Sequence, residues 1–585
     1  MHGFLSIVLA FVLVSGSLSA CGRTDLPDSS APETTTINTT TATTATTSET
    51  TLQAMTSATK TAVNTTVPVT RTPITTATST AVSSKPAHSV IKVADYGAKG
   101  DGKTDDFSAI QKAIVAAQNA GGTVTLQFEK NATYLIKQNN TSSVAMDFSG
   151  LKNTTVQGNN ATILISGFKQ YLTTLGSSNL TISDLNFNYA EKVYTLSEFE
   201  EVDVENMTVT IRSQDSLGIT EDWSTTFTNN FAIIKEEGPT RRYLFYHDIE
   251  VLDAAQHLYK LKIYEYDAQT KVNMEMVRDG DYQLITPIPY VGQIESSSIV
   301  AHNSENLTFK NCNIYAASYF VFSVRNNTGT VQFINTNVVP APDSDGAMVS
   351  WRDTFHCKEN RAKLIWKDCT LKGSFDDVFN ISCTRNVISR VYSKEEIEIT
   401  CPLLGGTYPE LKAGDTITVY NHQNGRYCGR TTIKEVVRQS GSSARIKLSD
   451  KLPNLQVNNT TVAVDSLAAP NSLVENCVIE GSIRIQSNVK FVNTSFNLWA
   501  GWVMNAAYAE GTLPYDVLFK NCSLKGSTEG VFLYVGAETE SGVKPKFGAR
   551  NIVFEDCELN PDCLQVTAGS DVRIVENGET VKQYN

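Results

Sequence analysis

A short frame recurs along the second half of the chain and limits what it can fold into. It reads Leu307-Thr-Phe-Lys-Asn311-Cys312-Asn-Ile, then Leu364-Ile-Trp-Lys-Asp368-Cys369-Thr-Leu and Val474-Glu-Asn476-Cys477-Val-Ile. It returns as Val517-Leu-Phe-Lys-Asn521-Cys522-Ser-Leu and Ile552-Val-Phe-Glu-Asp556-Cys557-Glu-Leu, and copies without the cysteine end at Asp184, Asn335 and Asn493. Each copy is a short alternating strand, a polar turn residue and a second short strand. The turn residues follow at intervals of 24 (311 to 335), 33 (335 to 368), 17 (476 to 493) and 28 (493 to 521), with no helical pattern between. Such periods predict a solenoid whose rungs stack in parallel. Asn or Asp at the turn can hydrogen-bond from rung to rung, and the small cysteine fills the interior beside it. Trp366 falls in this frame and is expected in the core. Independent hairpins would show two-residue turns and no register repeat. The expected fold is therefore all-β, a right-handed parallel β-helix.

Two stretches interrupt the frame. Residues 188–300 (Met207-Thr-Val-Thr-Ile-Arg; Tyr259-Lys-Leu-Lys-Ile-Tyr) and 386–465 (Gly414-Asp415-Thr-Ile-Thr-Val-Tyr) alternate polar and apolar residues without it. They read as antiparallel β modules inserted into the solenoid, of the kind that wall a groove. The remaining divisions are a cap and first rungs over 90–187, central rungs over 301–385 and C-terminal rungs over 466–585. Of the ten cysteines after Cys21, five occupy the frame, which suggests stacking more than pairing. Cys557–Cys563 and Cys383–Cys401 are conceivable disulfides.

The first residues have a different character. Phe4 to Leu18 form an apolar run of signal-peptide length, too short to span a membrane. The run ends in Leu18-Ser19-Ala20-Cys21-Gly22, which resembles the bacterial lipobox. That resemblance implies a signal peptide over 1–20 and lipidation of Cys21. Residues 21–89 are rich in Thr, Ser, Ala and Pro, cannot bury a core, and are expected to be a solvated tether. The folded part is then lipid-anchored to the membrane at the extracellular face of a bacterial envelope, acting on something too large or remote to import.

Between the two interruptions lie the densest acidic and aromatic residues of the repeat region: Ser350-Trp351-Arg352-Asp353-Thr354-Phe355-His356-Cys357 and Ser374-Phe375-Asp376-Asp377-Val378-Phe379-Asn380. Aligning Asp353-x-Phe355-His356 with Asp377-x-Phe379-Asn380 gives an offset of 24, one of the repeat intervals. On a solenoid this puts Asp353 on the rung preceding Asp377, about 4.8 Å away along the axis. The two phenylalanines stack inside, His356 lies over Asn380, and Asp376 adds a third carboxylate. Carboxylates this close repel, so at least one pKa rises. Glycoside hydrolysis needs that arrangement, with one protonated acid for the leaving oxygen and one carboxylate acting on water or on carbon. A solvated turn or a calcium site would use the same residue types. Adjacent rungs permit carboxyl separations of both the retaining and the inverting kind.

Two resemblances carry the reading further. Val93-Ala-Asp95-Tyr96-Gly97-Ala98-Lys99-Gly100-Asp101-Gly102-Lys103-Thr104-Asp105-Asp106, with the helical face at 109, 110, 113, 114 and 117, resembles the N-terminal cap of pectate-lyase-like β-helix proteins. In that cap a helix plugs the first rung, and Asp105 and Asp106 precede the helix where carboxylates suit its N-terminus. The string Asp353-x-Phe-His356 followed by Asp376-Asp377-x-x-Asn380 resembles glycoside hydrolase family 110, as do Val277-Arg278-Asp-Gly280-Asp281, the frame at Asn476-Cys477 and Ala509-Glu510-Gly511. Members are parallel β-helix exo-enzymes that remove terminal α-1,3-linked galactose with inversion. The resemblance implies that Asp353, Asp376 and Asp377 are the catalytic set, one a general acid and one or two activating water. Candidates for contacting the sugar are His356, Arg352, Asn380, Arg325, Trp351 and Glu510, with Tyr319 and Arg484 as further groove residues. The chain departs from the family's Asp-Gly-x-His at Thr354 and carries Arg352 where a small residue is usual, changes that bear on sugar and linkage preference.

Composition narrows the alternatives. With 49 basic and 61 acidic residues the net charge is −12, which argues against a nucleic-acid partner. Seven histidines without an HxH or HxxxH pair give no metal motif, and neither metal nor cofactor is expected. The other readings are a polysaccharide lyase, which needs a Lys or Arg base and usually calcium, another β-helix hydrolase such as a polygalacturonase, and a carbohydrate-binding protein that kept the fold without the chemistry.

Overall fold

The computed structural model describes residues 88–584 apart from 138–142, 168–169, 220–230, 237, 239–241, 289–296, 402–408, 506–509 and 528–529. The leader, Cys21, nearly all of the tether and Ala509 lie outside the described residues. From the recurring frame the chain builds a parallel β-helix, 29 hydrogen-bonded strands among the described residues, of which the last, Glu579–Tyr584, turns back antiparallel. Strand Thr328–Ile334 lies between Glu305–Lys310 and Lys363–Lys367, with Phe309, Phe333 and Trp366 in one register. Their rings stack at 5.4 and 5.6 Å in the interior, so Trp366 is core.

The turn residue performs two tasks at each rung. Asp184, Asn311, Asn335, Asp368, Asn476, Asn493, Asn521 and Asp556 all adopt positive φ, between 46° and 58°. Asn and Asp tolerate this left-handed region better than other non-glycine residues. Their side chains also form ladders: Asn335 donates to Asn311 at 3.0 Å, Asn311 to Asp184 at 2.9 Å and Asn476 to Asp368 at 3.1 Å.

The next residue is more than a filler. The thiols of Cys369, Cys522 and Cys557 approach the carbonyls of Phe333, Phe491 and Phe519 on the preceding rung at 3.3 to 3.6 Å, and the Thr336 hydroxyl donates to Phe309 in the same way. A small donor suits the position, and from Cys312 onward it is Cys or Thr, whereas Leu185 follows Asp184. All ten described cysteines are free thiols, which corrects both conceivable disulfides.

Six-stranded antiparallel barrels close between Tyr194 and Pro287 and between Asn386 and Val464. Neither disturbs the stack. Leu180 still pairs with Leu307 across the first, and Trp366 with Val474 across the second. At the N-terminal end, helix Phe107–Asn119 buries Ile110, Ala113, Ile114 and Ala117 in the same core. Asp106 precedes this helix, but its carboxylate accepts the Lys99 and Gly100 amides at 2.6 and 3.0 Å instead of capping the helix. Asp105 is the one that accepts the Phe107 amide.

Candidate active site

Strand Phe355–Lys358 lies between Phe322–Arg325 and Asp377–Ser382, pairing Phe355 with Phe379 and His356 with Asn380. This is the 24-residue register. Phe355 stacks on Phe322 at 4.8 Å and on Phe379 at 5.7 Å, locking both strands from inside. Side chains alternate across a strand, so His356 and Asn380 emerge on the opposite side. The next rung continues these columns, with Ser482 paired to Asp377 and Arg484 to Asn380.

The three aspartates converge: one carboxylate oxygen of each lies within 4.8 Å of the others, and all three side chains are buried. Their environments differ. Asp377 accepts Arg484 Nε and the Ser482 hydroxyl, each at 2.9 Å. Asp376 faces the Arg352 guanidinium at 3.5 Å. The nearest partner of Asp353 is the His356 Nδ1 at 2.7 Å.

The protonation states follow from these partners. Burial, reinforced by the charge of Asp376, pushes Asp353 well above the usual carboxylate range. Burial also raises Asp377, but Arg484 opposes it and the carboxyl stands at about 6. Burial, then the Lys358 and Arg325 charges, push the His356 imidazole down to about 3, so it is neutral near pH 7.

A second cluster abuts the first. Lys358 spends its donors on Asn380 at 2.8 Å, Ser382 at 2.5 Å and Glu510 at 2.5 Å, and Gln486 also donates to Glu510. Burial works against the Glu510 charge, but Lys358 and Arg484 outweigh it and hold the carboxyl at about 2. On the rim Arg325 pairs with Glu359 at 3.0 Å. Among the described residues of these two clusters, five carboxylates (Asp353, Asp376, Asp377, Glu359, Glu510) face four cations (Arg325, Arg352, Lys358, Arg484). Each cation has its own carboxylate. Asp353 is left over, and neutralising it with a proton balances the charge.

Known proteins with sequences similar to this chain are carbohydrate-active enzymes. Residues 90–139 match the family model described as rhamnogalacturonase A/epimerase, pectate lyase-like. Alpha-1,3-galactosidase A of Akkermansia muciniphila is 26% identical over 191 residues, 32% of this chain and 30% of that protein. Alpha-1,3-galactosidase B of Bacteroides thetaiotaomicron is 22% identical over 488 residues, 75% of this chain and 76% of that one. The chain is similar to glycoside hydrolases. It spans 30% of the length of the first of these relatives. Among solved structures, the hyperthermoactive exopolygalacturonase of Thermotoga maritima matches with 12% identity over 85% of this chain and 93% of that one, at a TM-score of 0.31.

The candidate sugar contacts fall into groups. Arg352, His356 and Glu510 are in the clusters just described, and Arg325 is on their rim. Asn380 is buried with its carbonyl oxygen on Lys358, which it positions, and its Nδ2 has no hydrogen-bond partner among the described residues. Trp351 requires correction. It is 1% exposed, its indole N–H donates to the Val193 carbonyl at 3.1 Å, and its ring meets Phe231 edge-on at 5.6 Å. It seals the helix wall against the first barrel. Thr354, which departs from the family pattern, is also buried, with its hydroxyl 2.6 Å from that of Ser374 inside the wall. Lys358, Ser482 and Gln486 are the residues that sequence reasoning missed. Lys358 was within reach, since it lies two residues after His356 on one strand and hence on the same face.

Proposed function

We propose that the protein is an exo-acting glycoside hydrolase that removes terminal α-linked galactose, in the manner of an α-1,3-galactosidase, from glycans outside the cell, held at the envelope through lipidated Cys21. Asp353 is the general acid: its O–H, hydrogen-bonded to the neutral His356 Nδ1, protonates the glycosidic oxygen as the bond to the anomeric carbon breaks. Asp377, with Asp376 beside it, takes a proton from the attacking water, and that proton returns to Asp353 before the next turnover. The observation that carries this reading is the leftover carboxylate. Three aspartates share one site, and among the described residues only Asp353 lacks a cation. Environments that drive paired carboxylates apart assign acid and base.

The same pairing favours a neutral sugar. A uronate would bring a further negative charge to a site whose four cations are each already matched. It also disfavours a metal. The trio is compact enough for an oxygen-seeking cation, but Arg352 and Arg484 already neutralise two of its members.

The test is galactose release by the full chain from an α-1,3-digalactoside and from p-nitrophenyl α-galactoside, followed by NMR of the fresh anomer. The expected product is β-galactose, formed at the same rate with EDTA present. One observation favours the retaining alternative: the carboxylate oxygens lie within 4.8 Å, close to the ~5 Å of double-displacement enzymes and short of the ~6.5–9.5 Å usual for inversion. Fresh α-galactose would establish that alternative. No release from either substrate, with galactoside binding retained, would point to a binding protein.

Acid and base roles also set the pH profile. Asp377 must be ionised and Asp353 protonated, so kcat/KM should rise as pH climbs through about 6 and fall again as Asp353 loses its proton. An activity that keeps rising from pH 6 into the alkaline range would remove Asp353 from the acid role.

A further inference from the structure

Beside the catalytic cluster the same wall carries a cavity of about 750 Å3. None of the three aspartates lines it, yet it begins where they end. Ser374 and Phe375, on its wall, lead directly into Asp376, and Gly481 leads into Ser482, which donates to Asp377. Its floor is an outward column of successive rungs. Tyr315, Val339, Lys372 and Glu480 each follow one member of the aligned row Ile314, Val338, Leu371 and Ile479. Three spacings of ~4.8 Å make this floor ~14 Å long, room for more than one sugar. Ile234 and Ile285 of the first barrel also line the cavity.

Trp499 owes its place there to a break in register. Gly481 pairs with Leu498 and Ser482 with Ala500, which leaves Trp499 as the extra residue of a bulge. A bulge re-aims the side chain it carries, and Trp499 lines the cavity. Its ring lies 5.4 Å from Trp502, which stands 5.0 Å from the guanidinium of Arg484, the partner of Asp377. One tryptophan thus borders the cavity and its neighbour borders the site. Charge on the lining is mixed, with Glu236, Asp345 and Glu480 against Lys235 and Lys372, and Asp345 accepts the Tyr194 hydroxyl. Among the described lining residues there is no positive surplus of the sort a polyuronate would need.

We propose that this cavity seats the glycan chain on the leaving-group side of the scissile bond, that its occupant is a neutral oligosaccharide, and that Trp499 is the platform on which a sugar ring stacks. The inference rests on the hydrolase reading above, and it makes Trp499 a specificity residue. An indole offers a large, rigid apolar face to the C–H side of a pyranose, while the polar lining takes its hydroxyls.

The experiment compares kcat/KM for a neutral trisaccharide ending in α-1,3-linked galactose with that for p-nitrophenyl α-galactoside, in wild type, Trp499→Ala and Trp499→Tyr. The trisaccharide-to-aryl ratio is expected to fall about ten-fold in Trp499→Ala, mainly through KM, and to be largely restored in Trp499→Tyr. A folding defect lowers both substrates together and leaves the ratio unchanged. Calorimetric binding of the uncleaved trisaccharide to Asp377→Asn, with and without Trp499→Ala, should show the same ten-fold weakening. An unchanged ratio with equal binding overturns the cavity proposal while galactose release leaves the hydrolase reading standing. Trp499-dependent binding by a protein that releases no galactose does the reverse. Tighter binding of a uronate-bearing chain than of the neutral one would overturn the assigned occupant.

Discussion

Asp353→Asn and Asp377→Asn should each lower galactose release by about 10³-fold, with opposite consequences for stability. Asp353 is the carboxylate whose charge has no cation to meet it, and burial already keeps it protonated. An amide there exchanges one neutral group for another, and the unfolding midpoint should hardly move. Asp377 is different. It receives Arg484 and Ser482 in a fully buried position. Its amide variant takes away the carboxylate bonded to that guanidinium and leaves Glu510 as the next counter-charge, at a cost of about 3 kcal/mol. Turnover measurements with denaturant unfolding of the same variants separate the two effects. If Asp353→Asn keeps activity within ten-fold of wild type, the acid lies elsewhere. If Asp377→Asn is as stable as wild type, the Arg484 pair is not what holds that carboxylate.

The second large effect is expected at Trp366, far less visible from outside. Its ring is fully buried, stacked on Phe333 at 5.6 Å and edge-on to Phe355 and Phe379 at 5.3 and 4.7 Å. Phe355 and Phe379 anchor the strands that present Asp353 and Asp377. Trp366→Ala removes the common neighbour of both and leaves a void that a stacked rung cannot collapse to fill. The expected cost is about 3–5 kcal/mol, together with a loss of kcat in the fraction that stays folded. Trp366→Phe, which keeps the stack, should recover most of both. A Trp366→Ala protein with wild-type unfolding and turnover would show that the interior column does not position the site.

What the sequence revealed of this site depends on how far apart its rungs are in the chain. Asp353 and Asp377 were legible because their rungs are consecutive and their motifs repeat at a clean offset of 24. Ser482 and Arg484 belong to the next rung of the same columns, but the chain builds a whole barrel before reaching it, and a bulge between Asp377 and Phe379 shifts the pairing by one. No repeat interval could have aligned them. Trp351 misled for a different reason. An aromatic beside a carboxylate suits a sugar platform and a domain seam equally, and only the position of Phe231 in the first barrel decides between them. Trp499 carried no signal, because alternation assigns a residue to a face and a bulge cancels that assignment.

The interior thiols have a consequence for how the molecule comes apart. Cys312, Cys369, Cys477 and Cys522 sit on four different rungs, each buried. Burial pushes the Cys312 thiol up to about 12, which keeps it protonated and chemically silent. A stack whose rungs touch only their neighbours can fray from one end without dissolving the rest. Each thiol wakes when its own rung opens. The solenoid therefore carries graduation marks along its axis, and the order in which they become reactive records the direction and extent of unravelling.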